Sequence, residues 1–146
     1  MRLVADASSL VGELLRARGQ ALLRHTHLDL SIAEPVRNEA QYELERRIND
    51  MIRRGRMPYS RGHAVLAAAL ELLDTRVVRV PLSSYREFEE EARDRIPRDP
   101  NDWPTVAAAM ALDAGIWTND GDFLGCGLPT WTTETLIAYL ERMAGR

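Results

Sequence analysis

Short apolar runs alternate along this chain with longer stretches in which apolar positions recur every three or four residues. The first run, Leu3-Val4-Ala5, closes on Asp6 and passes through Ala7-Ser8-Ser9 into a helical pattern carried by Leu10, Val11, Leu14 and Leu15. This predicts a buried strand whose end leads straight into a helix. A second strand is expected over residues 28 to 32. Pro35 then opens a long helix, because a first turn does not need the amide hydrogen that proline lacks. Val36, Ala40, Leu44, Ile48, Met51 and Ile52 form its apolar stripe, and Arg53-Arg54-Gly55-Arg56 ends it.

Residues 64 to 73 read as a second apolar helix and residues 77 to 80 as a third strand, stopped by Pro81. Ser84 and Glu87 have the spacing of a capping box, which predicts a helix from there through about Arg95. Residues 96 to 101, Ile-Pro-Arg-Asp-Pro-Asn, cannot continue it and form a loop. From Asp102 a further helix carries Val106, Ala107, Met110 and Ala111 on one face, with Gly115 as its expected C-cap. A fourth strand follows at Ile116-Trp117 and runs into Thr118-Asn119-Asp120-Gly121-Asp122-Phe123. Residues 128 to 131 suggest a short fifth strand and residues 133 to 143 a terminal amphipathic helix. Short apolar strands alternating with helices imply an α/β fold, a mostly parallel central sheet of four to five strands flanked by helices.

Length and composition keep this to one domain over residues 1–146, with no linker and no internal repeat. The lone Cys126 excludes an intrachain disulfide, and the N-terminus does not resemble a signal peptide, so a cytoplasmic location is expected. No apolar run approaches the roughly 20 residues of a membrane helix, so no membrane association is expected. The net charge of -3 argues against a general nucleic-acid coat, although acids gathered at one site can mask a basic face elsewhere. All 19 basic residues are arginine. A phosphoacceptor aspartate protein, which would also end its first strand in an acid, normally needs a lysine that this chain lacks.

The candidate chemistry lies in four acids far apart in sequence, Asp6, Glu39, Asp102 and Asp120, each beside the start or end of an expected element. Open α/β sheets place their ligand sites at the carboxyl ends of the strands, where Asp6 and Asp120 fall. Carboxylates from separate elements suit a hard divalent cation and leave room for water and phosphate in its shell. Two such charges about 4 Å apart repel by about 4 kcal/mol at an effective dielectric near 20, so a bare cluster predicts raised carboxyl pKa values. Taken singly, Asp6 and Asp102 also fit helix caps, and Glu39 fits a solvated helix face.

Val4-Ala5-Asp6-Ala7-Ser8-Ser9 and Trp117-Thr118-Asn119-Asp120-Gly121-Asp122-Phe123 resemble the first and last motifs of the PIN domain family. Arg98-Asp99-Pro100-Asn101-Asp102-Trp103-Pro104 is similar to a bacterial subgroup of that family and supplies its third acid, Asp102. The second acid lies in a pattern like Pro35-Val36-Arg37-Asn38-Glu39, which favours Glu39, with Glu43 one turn on as the reserve. The resemblance implies a metal-dependent ribonuclease of the VapC toxin type, with Asp6, Glu39, Asp102 and Asp120 holding one or two Mg²⁺ or Mn²⁺ ions. Thr118 would support the site, and Asp122 would be a further ligand through water or a cap for the turn at Phe123. It also implies an RNA substrate, a homodimer and an antitoxin protein as partner. The competing reading is a PIN-like module that binds RNA or protein without cutting.

Other residues have bland readings beside functional ones. Arg53, Arg54, Arg56 and Arg61 could bind phosphate or simply solvate a helix end, where they complement its dipole. Residues 53 to 63 and 96 to 101 are nevertheless the expected surfaces for choosing a target. His25, His27 and His63 lack a zinc spacing. Trp103, Trp117 and Trp131 are expected in core or interface packing rather than on RNA bases.

Overall fold

A computed structural model describes residues 1–145; the expected domain end at residue 146 lies outside them. Five strands, β1 (Arg2–Ala5), β2 (Asp29–Ala33), β3 (Val77–Val80), β4 (Gly115–Trp117) and β5 (Thr130–Trp131), form one sheet in the order β3-β2-β1-β4-β5. Every neighbouring pair is parallel. β1 and β4 are central, and their residues Leu3, Val4, Ala5, Ile116 and Trp117 are buried. Strands covered on both faces need apolar residues at consecutive positions, which explains why these runs do not alternate.

Seven helices flank the sheet: α1 (Ala7–Leu14), α2 (Ala17–Leu23), α3 (Glu34–Arg53), α4 (Tyr59–Arg76), α5 (Glu89–Arg95), α6 (Trp103–Leu112) and α7 (Thr133–Ala144). None is long and apolar enough to cross a membrane. α6 packs on β1, β2 and β4, and its Val106, Ala107, Ala108 and Ala109 are fully buried, small side chains that let it lie close to the sheet. The strand order reverses beside β1: the chain moves outward from β1 through β2 to β3, then returns to β4 on the other side. The carboxyl ends of β1 and β4 therefore flank the switch point at which open α/β sheets form a ligand crevice.

The strands and long helices stand where the hydrophobic pattern puts them, and the departures have local causes. α2 was not anticipated; it is short, and only Gly19, Leu22 and Leu23 are buried along it. α4 extends beyond the expected apolar segment at both ends. The expected Ser84 capping box does not form. Two 3₁₀ turns, Leu82–Ser84 and Arg86–Phe88, occupy this stretch, Ser84 makes no capping bond, and α5 begins only at Glu89. Tyr85 is fully buried between the two turns with φ -133°, so drawing it inward breaks what would have been one helix. Gly115 is not the cap of α6. That helix ends with Asp113 in the left-handed region (φ 51°), and Gly115 is the first residue of β4, paired with Leu3. Aspartate tolerates the left-handed region better than most residues.

The buried tryptophan is Trp117, in the core. Trp103 stands edge-on to Tyr85 with Arg93 over its ring, and Trp131 packs against Tyr139. Cys126 is buried and unpaired.

Candidate metal centre

Asp6 leaves β1 in extended conformation, and its N–H donates to the Trp117 carbonyl at 3.0 Å, which ties the end of β1 to the end of β4. It occupies the N-cap position of α1 but makes no capping bond. Its Oδ2 instead accepts from Thr118 Oγ1 at 2.9 Å and Ser8 Oγ at 3.2 Å. Burial pushes its pKa up and the charge of Asp120 adds to this, while the two hydroxyls oppose both.

Thr118 is buried to 1% exposure and connects two acids, since its Oγ1 also accepts the Asp120 N–H at 3.0 Å. Asp120 Oδ1 accepts the Asp122 N–H at 2.9 Å and so caps the 3₁₀ turn Gly121–Phe123. The capping role in this turn thus belongs to Asp120, not to Asp122. The Asp122 carboxylate faces Arg98, with Nε at 3.4 Å.

Glu39 and Glu43, one turn apart on α3, have opposite surroundings. Glu43 is bonded to Arg46 and lies 3.9 Å from Arg47, and Arg46 holds its pKa below the ordinary value. Glu39 is pushed up, first by partial burial and then by the negative charges of Asp6 and Glu43. Asp102 stands at the N-cap of α6 without a capping bond. Burial raises its pKa to about 7, assisted by the charges of Asp99, Asp6 and Asp120. Each acid raised in this way is raised by another member of the set, and no cation appears among the causes.

A PIN domain family model matches residues 4–141. The chain belongs to the PIN domain family. Members of this family are typically nucleases, and the family usually uses divalent metals. The crystal structure of PAE2754 from Pyrobaculum aerophilum superposes on this PIN domain with a TM-score of 0.61 and 20% sequence identity. The match covers 100% of this chain and 91% of that one, a likeness of fold. No curated protein matches the chain.

The donors present suit a hard divalent cation, being carboxylates without a cationic partner at a strand-switch point. Among the described residues, no three His, Cys, Asp or Glu side chains close into a ready-made metal cage. Mutually repelling carboxylates are expected to stand apart until a cation draws them together. Grooves of about 280 Å³ beside Arg18 and Ile137 and about 350 Å³ beside Met1 and Tyr139 are lined by none of these acids. Asp6, Asp102 and Asp120 are part-exposed, open to a polymer rather than sealed in a pocket.

Several supporting residues were not singled out from sequence. Asn119 ties the end of β4 to two other segments: its N–H donates to Ser9 Oγ at 2.8 Å and its Nδ2 to Thr133 Oγ1 at 3.2 Å. Its Oδ1 accepts the Thr133 N–H at 3.0 Å, and Thr133 Oγ1 also accepts from Trp117 Nε1 at 3.0 Å. This network fixes the segment between Thr118 and Asp120. Asp99 acts on Asp102 and was legible only as part of the motif that contains it.

Proposed function

We propose that this PIN domain is a metal-dependent endoribonuclease and the toxin of a type II toxin–antitoxin pair of the VapC kind. The observation that supports the reading is the chain of repulsions without a cation among them, in which Glu39 and Asp102 each feel the charge of Asp6, and Asp6 and Asp102 each feel that of Asp120. These four residues would hold Mg²⁺ or Mn²⁺, and Glu39 is preferred to Glu43 because Arg46 already occupies Glu43. When bound, such an ion lowers the pKa of a coordinated water and offsets charge on the phosphodiester. Ser8 and Thr118 hold one oxygen of Asp6 in place, and Asp122 N–H holds one oxygen of Asp120, so both carboxylates are oriented before substrate arrives. The second oxygen of Asp120 remains for coordination. Hydrolysis forms a bond from the water oxygen to phosphorus and breaks the bond to O3′, which leaves with a proton. The products are a 5′-phosphate and a 3′-hydroxyl.

As a cytoplasmic toxin the protein would be a homodimer, silenced by an antitoxin segment whose arginine pairs with the acids in place of metal. The test is cleavage of a mixed cellular RNA pool with Mg²⁺ or Mn²⁺ present or chelated, comparing the native chain with Asp102→Asn. Fragments that need metal and vanish in the variant are expected. Intact RNA with folded, metal-bound protein would instead favour a binding module without activity.

A further inference from the structure

The turn between α3 and α4 gathers arginines in a stretch that has no acid of its own. Most arginines elsewhere in the described chain face a carboxylate, as Arg95 faces Glu91 and Arg93 faces Glu89. From Met51 to Leu70 there is no acidic residue, and Arg54, Arg56 and Arg61 are exposed with no carboxylate partner among the described residues. Arg53 differs, being bonded to Asp50. Tyr59, 68% exposed, stands between them in sequence with the His63 ring edge-on at 4.4 Å.

Backbone hydrogen bonds define this corner. α3 ends in a Schellman motif: Arg56 N–H donates to the Met51 carbonyl at 2.9 Å and Gly55 N–H to Ile52 at 3.1 Å, with Gly55 at φ 70°. α4 then returns against α3 with Gly62 beside the Ile52 side chain, where an added Cβ would lie 2.4 Å from Ile52 Cδ1 and push it aside. At the other end Arg37 of α3 is bonded to Asp74 of α4, so the two helices are antiparallel and held at both ends.

We propose that this corner is a remote anchor for the backbone of the RNA, with Arg54, Arg56 and Arg61 on phosphates and Tyr59 offering a face to an unpaired base. Guanidinium forks match phosphate oxygens, and an exposed aromatic ring stacks on bases of any sequence. The proposal rests on the ribonuclease reading. Fifteen helical positions separate Glu39 from Arg54, roughly 22 Å along α3 at 1.5 Å per residue. A trinucleotide bound at the acids does not span that distance, whereas a hairpin RNA does.

The experiment measures binding of a labelled hairpin RNA and a labelled trinucleotide across a salt series, with Asp102→Asn as the background that prevents cutting. Into it are placed the triple change Arg54→Gln, Arg56→Gln, Arg61→Gln and, separately, the three changes to lysine. The glutamine variant is expected to bind the hairpin about tenfold more weakly, with the slope of log affinity against log salt reduced by about 2 to 3. The lysine variant should keep most of that slope, and trinucleotide binding should not change. Equal hairpin affinity and slope in all three proteins overturn the anchor, as does an equal loss for the trinucleotide. Cleavage by the protein with Asp102 intact is scored separately. Cutting with an unchanged salt slope sinks the anchor alone, and salt-dependent binding without cutting sinks the nuclease reading alone.

Discussion

At the scale of single residues one hydroxyl touches two of the acids. Thr118 Oγ1 gives its proton to the Asp6 carboxylate and accepts the Asp120 backbone N–H, so it holds one carboxylate directly and the backbone that carries the other. Thr118→Val keeps the shape and removes both bonds. We expect a fall of about 1–2 kcal/mol in stability in urea. We also expect the metal concentration for half-maximal cleavage to rise on the order of 10- to 100-fold, with recovery in Thr118→Ser. Unchanged metal dependence in the valine variant would mean that Asp6 is positioned by something else. Thr118 and the four acids could be named from sequence because they lie in motifs that resemble those of a known family, and their role as a metal site is the proposal made above. Asn119, beside them, was not given a role. Its partners Ser9 and Thr133 lie elsewhere in the chain, and only folding brings them to it.

At the scale of elements, each acid is delivered by a chain segment that ends or begins at the same sheet edge, and the supports come from elements farther along. α7 starts with a true capping box, Thr132 with Thr135, and its first residue Thr133 accepts hydrogen bonds from Trp117 and Asn119. The start of the last helix thus braces the end of β4. Thr133→Val leaves the indole N–H of Trp117 buried without an acceptor, and should lower unfolding free energy by about 1–3 kcal/mol in denaturant. A loss no larger than that of an exposed substitution on α7 would show that the brace carries no load. Strands and long helices were readable because burial writes its period into the sequence. The failures were of another sort. Ser84 and Glu87 satisfied the capping spacing, but burial of Tyr85 outweighed a local preference worth about 1 kcal/mol. Gly115 looked like a helix stop, and its position was decided by pairing with Leu3 across the sheet.

At the scale of the molecule, a net charge of -3 conceals a polar distribution, with acids at the switch point and unpaired arginines at the far end of α3. The acidic pole makes stability depend on pH in a direction opposite to that of an ordinary surface carboxylate. Asp102 titrates near 3.8 when unperturbed and at about 7 in the fold, so between those values the folded chain holds a proton that the unfolded chain has released. Raising pH through that window therefore favours unfolding of the metal-free protein. Asp6 and Glu39 are raised as well and act in the same direction. A divalent cation reverses the effect by binding the ionised group in the folded state alone. At pH 8, Mg²⁺ or Mn²⁺ at a hundred times its dissociation constant should add about 2.7 kcal/mol, on the order of 5 to 10 °C in Tm. At pH 5 the same addition should do much less, since protons already occupy Asp102. The measurement is a thermal melt at pH 5, 6, 7 and 8 in chelator and in metal, repeated with Asp102→Asn. In that variant the chelator series should be flatter and the gain from metal smaller, because the main group that exchanges a proton for a cation is gone. A native chain whose Tm in chelator rises steadily from pH 5 to 8 would contradict the raised Asp102, and with it the claim that these acids form one coupled group.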